Sequence, residues 1–395
     1  MSAPMLIWDD RMLGYDLGGR HPMHPLRWEL TWSLAGQLGV LDGWPLTAPE
    51  PADDADLTTV HLPAYLDAVK EASVSGGPRR AVGHGLGGED NPVFEDMHAS
   101  AALIAGGSIT AARAIAAGEV RRAANIAGGL HHAMAGHAAG FCVYNDAALA
   151  IRALLDSGVQ RVAYVDVDVH HGDGVQEAFY DDPRVLTVSL HESPLALWPG
   201  TGWPHETGHG DGVGSAVNIP LPPGTSDALW LRAFHAVVPS VLRAHQPDVL
   251  VTQHGADGHA DDPLADLNLT VDGQRAAALA LRDLAEELTG GRWLALGGGG
   301  YSLVKVVPRT WTHLLAIVGD RDLDPAMPTP KAWTELARLA RPDIAPPTTM
   351  SDRDGAGVRF ERWSGIREVG IDRTIDDVRR AVFPLHGLDP FDPRD

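Results

Sequence analysis

The 395-residue chain carries 31 Lys and Arg against 52 Asp and Glu, a formal net charge of −21 at pH 7, and 44% of its residues are apolar. A chain of this length and composition can bury a large core, as one big α/β domain or two smaller ones, and its acidity argues against a nucleic-acid-binding surface. Cys142 is the single cysteine, so neither an intrachain disulfide nor a thiolate-rich zinc finger can form, and any metal has to be held by His, Asp or Glu.

The N-terminal MSAPMLIWDD has no basic stretch followed by a long apolar run, so no signal peptide, anchor or membrane partner is expected and the cytoplasm is the simplest location. The first hundred residues are rich in Gly and Pro, with short elements expected around residues 27–38 and 63–72. Residues 101–118 are the most membrane-like stretch, but their Ala and Gly content and Arg113 favour a core helix with small packing residues. From Asn145 onward the pattern alternates. Residues 146–157 have helical spacing and stop at Gly158, residues 161–169 read as a strand, and 185–190 read as a second. Ser226 can cap a helix to about Gln246, 248–252 is an apolar β-run, 272–288 is helical, and 293–296 is another strand. This alternation predicts an α/β fold with an open, mostly parallel sheet flanked by helices and ligands beyond the C-terminal strand ends. Residues 1–319 are expected to form the catalytic unit. Residues 320–395, which have no His/Asp cluster, are expected to be an appendage packed on the same domain.

The richest polar clusters fall at those expected strand ends. In the run Tyr164 to Asp173, the residues Asp166, Asp168 and His170 alternate with valines, which at strand spacing puts all three on one side. Two carboxylates on a buried face are costly unless a cation offsets them, and a partner cluster from Gln253 to His259, containing Asp257, follows another strand. Such a donor set accepts zinc but also Fe(II), Mn(II) or Co(II). His131 and His132 stand in tandem in a glycine-rich segment. Asp166 and Asp173 are the natural carboxylates to orient their rings for acid–base work. Tyr301 ends a four-glycine run and offers a phenol to an oxyanion; no Lys-Ser/Thr follows the glycines as a phosphate loop would require. His61, His98, His235, His245 and His313 are read as structural or solvent-exposed.

Taken in order, the motif from His21 to Arg27, the run from Gly88 to Phe94, the block from Gly129 to Asp146 and that from Asp166 to Phe179 resemble the histone deacetylase family. The resemblance continues through Pro199 to Gly202, Gln253 to Asp257 and Gly297 to Tyr301, and is strongest to the bacterial acetoin-utilisation branch. It implies an arginase-like fold with one active site at the end of a narrow tunnel. It further implies Asp168, His170 and Asp257 as zinc ligands, with His132 oriented by Asp173 as principal general base and then acid. His131 paired with Asp166 would act electrostatically, and Tyr301 would donate to the oxyanion. Phe141 and Trp198 match the aromatic tunnel walls, Gly140 and Gly299 lie among the substrate-contacting positions, Asp90 matches a rim carboxylate, and Arg27 matches a basic residue of the inner channel. A structural K+ is implied near Asp166, Asp168, His170, Ser189 and Leu190.

The sequence departs from the family pattern in three places. Trp198 stands where phenylalanine is usual, Asn91 where many eukaryotic relatives have cysteine, and the stretch after Asp257 resembles the acetoin-utilisation proteins more than the nuclear enzymes. The implied partner is therefore an acetylated metabolic enzyme such as acetyl-CoA synthetase, or an acetylated polyamine. An inactive acyl-lysine-binding protein is disfavoured by the intact ligand trio and Tyr301.

Overall fold

The computed structural model describes residues 3–44, 46–74 and 81–395. Its strands are β1 (Met5–Ile7), β2 (Leu46–Thr47), β3 (Arg122–Asn125), β4 (Val162–Asp166), β5 (Val185–Glu192), β6 (Ala216–Leu221), β7 (Val249–Gln253) and β8 (Trp293–Leu296). They form one sheet in the order β2-β1-β3-β8-β7-β4-β5-β6, with every pairing parallel. Parallel sheets need cover on both faces, and apolar runs such as those of β4 and β7, buried along their whole length, are what such a position selects.

The helices in chain order are α1 (Leu26–Gln37), α2 (Asp54–Leu57), α3 (Pro63–Ser73), α4 (Met97–Ala116), α5 (Asp146–Asp156) and α6 (Asp173–Ala178). They continue with α7 (Asp227–His245), α8 (Val271–Thr289), α9 (Val307–Val318), α10 (Lys331–Ala340) and α11 (Asp372–Val382). Helix α5 begins where the Asn145 side chain accepts from the Ala148 N–H at 3.0 Å, and α8 where Thr270 accepts from Gly273. Helix α4, long and apolar enough to cross a membrane by length and composition, is mostly buried inside the protein. Four tryptophans are fully buried with their indole N–H groups satisfied: Trp28 donates to Ile126 O, Trp293 to Thr252 Oγ1, Trp311 to His254 O and Trp333 to Leu30 O. The last two tie α9 to the segment after β7 and α10 to α1.

Strands β3, β8, β7 and β4 lie side by side in the middle of the sheet. Because all run the same way, the segments that follow them, residues 126–145, 297–306, 254–270 and 167–172, leave at one edge.

The observed strands differ from the sequence reading in instructive ways. The strand expected over 161–169 stops at Asp166. Beyond it, Asp166 Oδ1 accepts from the Asp168 N–H at 3.1 Å and Asp168 Oδ1 from the His170 N–H at 2.9 Å. Aspartate side chains that capture the backbone two residues on compete with the sheet ladder and turn the chain, so Asp168 and His170 are placed by successive turns and not by strand alternation. Strand β5 runs to Glu192, past the expected end. Strands β1, β2, β3 and β6 were not expected: β1 and β2 have only three and two residues, and β3 (RAAN) has no β-branched residue. β6 contains Pro220, whose missing N–H is tolerated because β6 is an edge strand.

Residues beyond Gly319 pack onto the rest through α10 against α1 and α11 against α7 and β6. The second contact carries a buried ion pair, Arg232 Nε to Asp372 Oδ1 at 2.6 Å, with Asp372 fully buried and Arg232 nearly so. Arg232→Ala strands that carboxylate, and a loss of about 3 kcal/mol in unfolding free energy by denaturant titration is expected. A loss below about 1 kcal/mol would mean that the pair is exposed in solution.

Candidate metal centre and acid–base pair

Asp168 and His170 follow β4 and Asp257 follows β7, and one donor atom from each lies within 4.8 Å of the others. His170 Nδ1 stands 3.2 Å from an oxygen of each carboxylate. The outer oxygens are held from behind: Asp168 Oδ2 accepts from Gln253 Nε2 and from Gly299 N, both at 2.8 Å, and Asp257 Oδ1 accepts from Val169 N at 3.1 Å. Glycine is required at two neighbours. A Cβ at 255 would stand 1.9 Å from Asp168 Oδ2, and one at 299 would stand 1.9 Å from Asp257 Oδ2.

Both carboxylates are fully buried, and among the described residues neither is paired with Lys or Arg. Burial and the adjacent Asp168 raise the Asp257 pKa to about 6. Burial resists charge on His170, but hydrogen bonds to Asp168 and Asp257 outweigh it and raise its pKa to about 10. A buried pocket with two anionic oxygens around one imidazole is short of positive charge, and the donor chemistry fits a divalent metal.

The segment after β3 brings His131 and His132 alongside, with ring centroids 4.0 Å apart. Each has its own carboxylate: His131 Nδ1 lies 2.7 Å from Asp166 Oδ2, and His132 Nδ1 lies 2.7 Å from Asp173 Oδ1. Their electrostatics differ. For His131 the desolvation penalty is outweighed by Asp166 and Asp168, and the pKa rises to about 9. For His132 burial dominates, repulsion by His131 adds to it, and the pKa falls to about 4 despite Asp173. At neutral pH His132 is therefore uncharged, with Nδ1–H donated to Asp173 and Nε2 left as an acceptor.

Tyr301, at the end of the glycine run after β8, lines the same cleft as His131, His132, Asp168, His170, Gly140, Cys142 and Gly299. Burial, with Asp257 and Asp168 near, keeps its phenol well above the ordinary pKa, so it stays protonated as a donor. Phe141 meets Tyr301 edge-on at 5.6 Å, and Trp198 meets His132 edge-on at 4.6 Å, so the two aromatics flank the cleft. Gly140 lies against the His132 and Trp198 rings, where a Cβ would come within 2.8 Å of Trp198.

Asp90 lies apart from this cluster, exposed in an outer groove that it shares with His21 and Phe141. Arg27, fully buried in α1, donates to Gly298 O at 2.9 Å behind the glycine run. Ser189 and Leu190 lie on β5, with Ser189 in register with Asp166 across β4. Of the histidines read as structural, His61 and His313 are buried and bond to the carbonyls of Met134 and Met350.

Three supporting residues had no role in the sequence reading. Tyr164 donates to Asp166 Oδ2 at 2.6 Å, Gln253 donates to Asp168, and Asp146 receives the Gly129 and Leu130 N–H groups at 2.9 and 2.8 Å. Tyr164 carried a usable signal, since it sits two residues before Asp166 on the same strand face. Asp146 was legible only as the last residue of the block that begins at Gly129, since no spacing rule links it to partners 16 and 17 residues away.

Comparison with known proteins places the chain in a family. Residues 21–318 match the model of the histone deacetylase domain. The acetoin utilization protein AcuC of Bacillus subtilis is 38% identical over 353 residues, covering 89% of this chain and 90% of that protein. The AcuC of Staphylococcus xylosus is 35% identical over 368 residues, 92% and 94% of the two chains. Among solved structures, an HDAC homolog complexed with SAHA superposes with a TM-score of 0.83 at 28% identity, covering 96% of this chain and 100% of its own. An HDAC homolog from Aquifex aeolicus gives 0.81 at 27% identity, with the same coverage.

Proposed function

The chain belongs to the histone deacetylase family, in its acetoin-utilisation branch, and is a deacetylase; from that premise we propose that it hydrolyses the acetyl amide of a lysine side chain on a metabolic enzyme, with zinc as its metal. Asp168, His170 and Asp257 would hold the zinc; Fe(II) suits the same donors. The bound metal supplies Lewis-acid polarisation of the acyl carbonyl and a lowered pKa for water.

The reading rests on one observation: His132, whose Nδ1 stands 2.7 Å from Asp173 Oδ1, and Tyr301 line the same cleft as Asp168 and His170. His132 Nε2 takes the proton from the attacking water as the new C–O bond forms. It then delivers that proton to the leaving nitrogen as the C–N bond breaks, giving acetate and a free amine. His131, charged beside Asp166, offsets the negative charge that develops, and the Tyr301 hydroxyl donates to the oxyanion. Phe141 and Trp198 flank the aliphatic part of the chain, the Gly140 carbonyl accepts from its amide N–H, and Gly299 lines the acyl end. Asp90 grips the substrate backbone at the rim, and Arg27 lines the acetate exit behind Gly298.

The same proposal includes a K+ drawing on Asp166, Asp168, His170, Ser189 and Leu190, a cytoplasmic location, and a catalytic unit spanning residues 1–319; the family match ending at residue 318 supports the last. The net charge of −21 and the exposed Glu89 and Asp90 at the mouth favour a second substrate, an acetylated polyamine. Catalytic efficiency on an acetyl-lysine peptide and on acetylated polyamines, measured with zinc-loaded protein, decides between them. Peptide preference of tenfold or more is expected, about 1.4 kcal/mol of transition-state discrimination. Polyamine preference would keep the chemistry and replace the substrate.

A further inference from the structure

The metal-centre reading leaves residues 320–395 without a part, yet one carboxylate in that segment bridges the loop that carries Asp257 and the helix that follows the Tyr301 loop. Asp352 Oδ2 lies 2.8 Å from His259 Nε2 and accepts from the Val271 N–H at 2.9 Å, while Oδ1 pairs with Arg309 Nη2 at 2.7 Å. Its neighbours fix it there: Ser351 Oγ donates to Asp272 Oδ1 and Asp352 N to Asp272 Oδ2, pinning the segment to the first turn of α8.

Both side chains that Asp352 joins lead back to the active site. His259 is two residues past Asp257, and its Nδ1 accepts from the Asp261 N–H at 2.9 Å, so Nε2 carries the proton donated to Asp352. Asp262, next in that loop, accepts from the Tyr301 N–H at 2.8 Å. Arg309 stands on α9, which continues directly from the Tyr301 loop, and its Nε donates back to Lys305 O. His259 and Arg309 are themselves nearly buried, so without Asp352 each would be left with an unmet polar group.

We propose that Asp352 is a positioning residue, and that by clamping His259 to Arg309 it sets the loop carrying Asp257 against the loop carrying Tyr301, so that the C-terminal segment completes the active site. The inference rests on the ligand and phenol roles proposed above. A ligand carboxylate and an oxyanion donor from different strands have to be aligned within a fraction of an ångström, and supporting contacts of this kind commonly change metal affinity 10- to 100-fold.

The test uses the full chain with Asp352→Ala, His259→Ala and the double variant, compared with Asp372→Asn, which weakens the separate anchor of α11 on α7. Zinc dissociation constants from chelator competition, kcat and KM on an acetyl-lysine peptide, and Tm are measured. Asp352→Ala and His259→Ala should each weaken zinc binding about tenfold or more and lower kcat with little change in KM. The double variant should be no worse than the poorer single. Asp372→Asn should lower Tm and leave both functional readouts unchanged. If Asp352→Ala does not fold, Asp352→Asn, which keeps size and an acceptor but loses the ion pair, is read in the same way. Wild-type zinc affinity and kcat in the Asp352 variant would overturn the proposal alone, as would equal losses in Asp372→Asn. Failure of the unaltered protein to bind zinc would instead remove the metal-centre reading, and this inference with it.

Discussion

Asp168→Ala is expected to abolish metal retention and to reduce deacetylation to background. Asp168 is the most heavily supported of the three donors: Oδ1 faces His170, and Oδ2 takes both Gln253 Nε2 and Gly299 N. Removing it would leave two of the three proposed ligands and take the acceptor from three N–H donors, those of His170 N, Gln253 Nε2 and Gly299 N, whereas the protein loses little packing. Zinc per chain after dialysis should fall from one equivalent to background, with far-UV circular dichroism unchanged. A variant that keeps stoichiometric zinc together with activity would contradict the ligand assignment.

Tyr301→Phe should lower kcat by about two to three orders of magnitude while leaving metal content and KM nearly unchanged. Among the described residues the phenol hydroxyl makes no hydrogen bond on which folding depends: the ring packs edge-on against Phe141 with or without its hydroxyl, and the backbone N–H of residue 301 still reaches Asp262. On the proposed mechanism only the donor to a charge that develops in the transition state is lost, so the effect is expected on kcat. Near-normal turnover would remove Tyr301 from the mechanism.

How far the sequence alone reaches can be judged from particular residues. The β4, β7 and β8 strands and the α5, α7 and α8 helices announce themselves because apolar runs and 3.6-residue spacing report burial directly. The convergence of His131, Asp168, Asp257 and Tyr301 follows from parallel strands, since segments after neighbouring strands leave at one edge. What sequence spacing misplaced is the cause of the Asp168 and His170 geometry. Alternation with valine looks like a strand, but the aspartate side chains bond to the backbone and end it at Asp166. Other features had no local signal at all. The edge strand β6 carries a proline, and the contacts of Asp352 are made with residues far away in the chain, so only the folded structure displays them.

The central claim is that a single divalent metal held by Asp168, His170 and Asp257 supports hydrolysis of an acetylated amine. The most direct measurement strips the protein with chelator and titrates zinc back while following acetate release from an acetyl-lysine peptide. The account predicts negligible activity without metal, a linear rise, and a plateau at one zinc per chain. Full activity in the stripped protein, or a plateau reached only at two metals per chain, would contradict it.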